Sequence, residues 1–230
     1  MISAFLWRDS GIVGKHGQKF VAPRPDDQSR IKQYQDGFKE HLLCYDCEQQ
    51  LGRYEDYAKR SVFSKSSPAN DVNSRDCILT GLDYAPLKLF QMSILWRMSI
   101  TNHVFYQNVK LGKHQEMIRQ RLATEDPGEP WEYACIATQL SCGSDLLKGM
   151  FSPPSARKLH GHNVYEVVIA GMHWFLYASS HSPVGVAKLA FLTRTGEWVL
   201  FRGNPREFTH LIPHLNAIQR QTNQKGINVL

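Results

Sequence analysis

Apolar residues along this chain change their spacing once, near residues 127–130. Upstream the spacing is helical. Leu51, Tyr54, Tyr57, Ala58 and Val62 predict a helix over residues 45–63. Leu87, Phe90, Ile94, Leu95 and Met98, broadened by Trp96, predict a second helix over 86–101, with Pro86 in its first turn. So wide an apolar face belongs to a helix buried on most sides, so Trp96 is expected in the core. Arg97 beside it then needs a carboxylate, and Glu48 and Glu55 are the candidates. Met117, Ile118 and Leu122 predict a third helix over 112–123. Residues 1–33, interrupted by Gly11, Gly14, Gly17, Pro23 and Pro25, read as chain that wraps over a core built elsewhere.

Downstream of Pro127-Gly128-Glu129-Pro130 the spacing becomes that of strands. Residues 131–140, 164–170 and 173–179 read as strands, the last two joined around Gly171. Residues 187–193 and 198–201 read as a further pair, with Arg194-Thr195-Gly196-Glu197 as the turn. Asn204-Pro205 reads as the cap and first-turn proline of a last helix reaching about residue 221. Helices, then an antiparallel meander, then a helix describe an α+β protein. The expected division is a mainly helical part over 1–126 and a sheet plus C-terminal helix over 131–230, together one compact unit.

Composition narrows the setting. No stretch approaches the ~18 apolar residues of a membrane helix, and Met1 to Arg8 lacks the basic and apolar regions of a secretory signal. Five cysteines at irregular spacing (Cys44, Cys47, Cys77, Cys135 and Cys142) do not form a disulfide framework. A reducing, cytoplasmic setting without membrane contact is therefore expected. The net charge is +6, and residues 131–230 hold nine basic against five acidic side chains. Such a balance permits a polyanionic partner without requiring one.

Chemistry concentrates at Cys44-Tyr45-Asp46-Cys47. Two thiolates in a tight turn at a helix start can grip one zinc ion, and the helix terminus favours their charge. They supply half a tetrahedral shell, so Cys44 and Cys47 are the candidate metal ligands of an incomplete zinc site. His41 and the His160-Gly161-His162 pair are distant reserves. Two reduced thiols and a redox pair are the other readings. Cys135 and Cys142 read as small core residues, and Gln139 to Gly143 as a turn. Nucleophile-elbow, phosphate-loop, His-Glu-x-x-His and dinucleotide motifs are absent, so no catalytic residue is assigned.

The run Gln35-Asp36-Gly37-Phe38-Lys39-Glu40-His41-Leu42-Leu43-Cys44-Tyr45-Asp46-Cys47-Glu48, with Tyr54-Glu55 and Ser93-Ile94-Leu95-Trp96-Arg97, resembles uncharacterised bacterial proteins with an HNH-like treble-clef knuckle. The resemblance covers roughly residues 1–125 and implies that Cys44-x-x-Cys47-Glu48 is the second half of that knuckle. The first half, an earlier Cys-x-x-Cys followed by a Ser-His stretch, has no counterpart here, because the chain begins about where that stretch would end. The resemblance thus implies a nuclease-derived protein that engages nucleic acid, in defence against mobile DNA, without cleavage in this form. Two other readings stand beside it. One is a non-catalytic module presenting Trp174, Phe175 and Trp198 to a protein partner. The other is an enzyme with a site around Arg157, His160 and His162.

Overall fold

The structure is a computed structural model that describes residues 19–23, 31–35, 40–64, 76–142, 145–146, 150–159, 161–183, 185–213 and 215–216. Three helices pack on one face of a mostly antiparallel sheet, which makes the protein α+β. A hairpin, β1 (Lys19–Pro23) and β2 (Ile31–Gln35), forms a separate two-stranded sheet. It lies in the stretch read from sequence as unpatterned.

The helices follow the apolar spacing. Helix α1 (Tyr45–Ser61) buries Leu51, Tyr54 and Ala58. Helix α2 (Tyr84–Ile100) starts at Asp83, whose Oδ1 accepts from the Ala85 N–H at 3.2 Å. Every side chain of α2 from Leu87 to Met98 is buried, so the helix has no solvent face at its centre. Trp96 is among them, as its setting predicts. Arg97 is 3% exposed and pairs with Glu55 of α1, while Glu48 is exposed. Helix α3 (Lys113–Ala123) turns Ile118 and Leu122 inward.

The sheet runs in the order β3 (Asp76–Leu79), β9 (Trp198–Gly203), β4 (Cys135–Cys142), β8 (Met172–Tyr177), β7 (His162–Ile169), β6 (Ser155–Leu159), with a short β5 (Asp145–Leu146) on β4. The contact between β4 and β9 is parallel; all other strand pairs are antiparallel. The sequence leads one to expect a purely antiparallel arrangement. The parallel pair arises because β9 enters from the far side of the chain and slots between β4 and β3. Strand β3 comes from upstream of Pro127, and the main core contains Leu51, Phe90, Ile118, Trp174 and Trp198 together. The two sequence-defined halves therefore share one sheet and one core.

Four expectations change on inspection. Residues 187–193 do not form a strand: Val186–Ala190 is a 3-10 turn. Residues 155–159, where no element was expected, form edge strand β6, whose polar side chains suit an edge. The last helix starts later than Pro205: two 3-10 turns, Pro205–Glu207 and Thr209–Leu211, precede it, residues 212–213 and 215–216 are helical, and residues 217–221 lie outside the described residues. Trp174 and Trp198 are not presented to a partner; both are fully buried, and Phe175 is half-buried. The tight turn between β7 and β8 sets all of this register. Ala170 and Gly171 take φ of +54° and +73°, the two left-handed positions of a two-residue hairpin loop.

Two interior charges make predictions. Glu55→Ala should leave the Arg97 guanidinium buried without its carboxylate and lower stability by about 3–5 kcal/mol in denaturant titration. Lys88 is fully buried on α2, donating to the Pro130 carbonyl at 3.2 Å and the Tyr133 carbonyl at 3.3 Å. Burial lowers its pKa to about 7, opposed by the charges of Cys135 and Glu132. The unfolded chain holds that proton up to about pH 10. Between those values the unfolded state binds more protons, so stability rises with pH; below about pH 7 the two states match and the slope vanishes. Lys88→Met should flatten the rise between about pH 7 and 10, read as the difference between variant and parent denaturation midpoints.

Candidate metal centre

Glu166 sits in the middle of β7 within an otherwise apolar run and is 1% exposed. The hairpin register places it opposite Phe175, and places His173 of β8 opposite Val168. Glu166 and His173 are therefore diagonal neighbours on one face of the sheet. This is the face away from the helices. Val164, Val168, Leu140 and Tyr177 line it, and Phe191, Leu211 and Leu215 cover it. The cover matters because the turn Thr209–Leu211 carries His210 back over the sheet. Asn204 starts this return: its Oδ1 accepts from the Arg206 N–H at 3.0 Å, and Pro205 follows as the first residue of the turn.

Both imidazoles converge on a single oxygen. His173 Nε2 and His210 Nε2 each lie 3.3 Å from Glu166 Oε2. The other oxygen, Oε1, accepts from Arg157 Nη1 at 2.7 Å, across from β6. The three donor atoms Oε2, Nε2 and Nε2 lie within 4.8 Å of one another. Phe175 and Phe208 flank the His173 ring, with centroids at 4.3 and 4.6 Å. His173 is fully buried, yet neither of its ring nitrogens has a hydrogen-bond partner among the described residues. His210 is 33% exposed at the side chain, so the cluster opens toward solvent on that side alone among its three members.

Electrostatics favour the ligand form of Glu166 and His210. Burial would raise the Glu166 carboxyl, but the His173 and Arg157 contacts outweigh it and hold its pKa below the ordinary value. Burial lowers the pKa of His210 more than the Glu166 charge raises it, which favours a neutral imidazole with a free lone pair. The spacing also suits an ion. Two donors each about 2.1 Å from one zinc ion lie about 3.4 Å apart at the tetrahedral angle, against about 3.0 Å at an octahedral right angle. Arg157 behaves as the outer group that orients a ligating carboxylate.

The residues singled out in the sequence fall elsewhere. Cys44 and Cys47 are exposed at the start of α1, and no third donor joins them among the described residues. His41 is exposed. His162 Nδ1 shares a hydrogen bond with Ser179 Oγ at 2.8 Å, and His160 lies outside the described residues. Cys135 is buried, while the Cys142 side chain lies outside the described residues. Of the described members of the enzyme reading, Arg157 reaches the cluster and His162 does not. A lone glutamate inside Val164 to Ala170 and a histidine just across the hairpin were the available signals. His210 was hidden by the helix expected after Pro205. No family model matches the chain, and neither the curated proteins nor the solved structures give a match. No helix among the described residues is long and apolar enough to cross a membrane.

The cluster predicts unequal costs for its two histidines. His173→Ala removes a fully buried ring packed between Phe175 and Phe208 and should cost about 2–4 kcal/mol. His210→Ala removes a part-exposed ring and should cost about 1 kcal/mol or less. Urea titration of metal-free protein would check the order; a reversed order would show that His210 anchors the fold.

Proposed function

We propose that this protein is a metalloprotein holding one divalent ion, zinc by preference, on Glu166 Oε2, His173 Nε2 and His210 Nε2, and that the centre serves hydrolysis. The observation that carries the reading is the convergence of two imidazole nitrogens, each 3.3 Å away, on one buried carboxylate oxygen. Two histidines and a carboxylate are a recurrent donor set for catalytic zinc, which leaves a position for water or substrate. A bound ion there would acidify water and polarise a substrate oxygen. The chain's own part is to exclude water behind His173 with Phe175 and Phe208, to hold Glu166 through Arg157, and to leave access beside His210. Protein purified without chelator should carry one zinc per chain by elemental analysis. Glu166→Gln should bring that to about a tenth or less, since an amide oxygen is a weak zinc ligand, while Cys44→Ser should leave it unchanged. Full zinc content in the Glu166→Gln protein would contradict the assignment.

Nucleic acid is the ligand class this reading favours. Most of the positive excess lies in residues 131–230, the part that also carries the cluster, and Arg157 and Lys158 are exposed on edge strand β6 beside Glu166. The resemblance around Cys44 and Trp96 points the same way. Cleavage on the Glu166 cluster would not depend on the Cys44 half-motif. Binding to a DNA or RNA duplex should weaken steeply as salt rises, because phosphate contacts release counterions. Cleavage should require added zinc or manganese and fail in Glu166→Gln. Salt-independent binding, or none, would remove nucleic acid from the proposal and leave the metal centre standing.

A further inference from the structure

Cys44 and Cys47 stand apart from the Glu166 cluster, and their setting supports a different chemistry. Cys44 is the N-cap residue of α1, in extended conformation with φ −70° and ψ 166°. Cys47 lies one turn into the helix. Both thiols are exposed. Cα atoms three residues apart at a helix start are separated by about 5–6 Å, inside the range a disulfide spans without moving the backbone. The remaining described cysteine side chains, Cys77 and Cys135, are buried in the core and cannot compete for a solvent oxidant.

We propose that Cys44 and Cys47 form a reversible dithiol switch, in which peroxide oxidises Cys44 and Cys47 closes the disulfide. The environment separates the two roles. The Cys47 backbone N–H and thiol lower the Cys44 pKa, against the charge of Asp46. The contact with Cys44, burial and the charges of Asp46 and Glu48 raise the Cys47 pKa. The N-cap position of Cys44 favours a thiolate there, so Cys44 is the better nucleophile and Cys47, inside the first turn, the resolving thiol. In the first step the Cys44 thiolate attacks hydrogen peroxide. A sulfur–oxygen bond forms, the peroxide bond breaks and hydroxide leaves, giving a sulfenic acid. In the second step the Cys47 sulfur attacks that sulfur. The sulfur–sulfur bond forms, the sulfur–oxygen bond breaks, and the oxygen leaves as water with the Cys47 proton. Peroxide is the oxidant, and a small thiol reverses the reaction.

The switch would act on a joint of the fold. Gln50 of α1 donates to the Leu122 carbonyl at 2.9 Å, and Arg53 pairs with Glu125 at 2.6 Å, so the first turns of α1 are tied to the end of α3. A closed disulfide fixes the turn that precedes those ties.

The test treats the full chain and its Cys44→Ser and Cys47→Ser variants with hydrogen peroxide, reading intact mass, free thiols and peptide maps. Circular dichroism confirms that each variant is folded. The parent should become 2 Da lighter, lose two thiols at Cys44 and Cys47, and recover both with dithiothreitol. Cys47→Ser should trap a sulfenic acid at residue 44 that dimedone captures. Cys44→Ser should react at least ~10-fold more slowly. Oxidation of Cys47 first, sulfinic or sulfonic products without a disulfide, cross-linked dimers, or thiols that stay unreactive until zinc is chelated away would each overturn the proposal.

Discussion

One buried carboxylate organises the face of the sheet that the helices leave open. Glu166 sits where a valine or isoleucine would fit the strand, and an ionised carboxylate there is costly unless it is paired. Its partners come from three directions. Arg157 arrives from edge strand β6, His173 from β8, and His210 from the return segment after β9. The edge strand, the central hairpin and the C-terminal return are thus tied to a single oxygen pair. Replacing such a group with an apolar residue of similar volume would generally keep or improve stability. A charge retained at that cost, with both imidazoles aimed at one oxygen, is the pattern expected of a site rather than of a scaffold.

The rest of the fold makes that face available. Helix α2 is enclosed on all sides at its centre and takes its charges, Lys88 and Arg97, into the interior with partners for each. The sheet offers Tyr165, Val167, Trp174 and Trp198 to that helical layer. With the hydrophobic load carried on one face, the opposite face needs only a thin cover, and Phe191, Leu211 and Leu215 supply it. A thin cover is what allows His210 to reach inward while keeping a third of its side chain in solvent.

What was legible in the sequence follows from range. Helices α1, α2 and α3 were visible because their apolar spacing is local, and the burial of Trp96 and the need for a carboxylate beside Arg97 followed from the width of one stripe, though the choice of Glu55 over Glu48 did not. The β7–β8 hairpin was visible because Gly171 marks its turn. The parallel pairing of β4 with β9, and the entry of β3 into the sheet, depend on contacts between residues far apart in the chain, which no local period encodes. The metal cluster has the same character. Glu166 and His173 are close in sequence only through a turn, and His210 joins them through a segment whose proline suggested a helix. The Cys44-x-x-Cys47 motif drew attention because its spacing is local, yet the donors that converge in space lie at the other end of the chain.

The ligands of a bound ion decide whether Glu166, His173 and His210 form the proposed metal centre, and zinc K-edge X-ray absorption of zinc-loaded protein reads them directly. A shell of nitrogen and oxygen donors at about 2.0–2.1 Å, with the outer-shell scattering of two imidazoles and no sulfur, is the predicted result. A sulfur shell at about 2.3 Å would place the ion on Cys44 and Cys47 instead, and would contradict the Glu166, His173 and His210 centre.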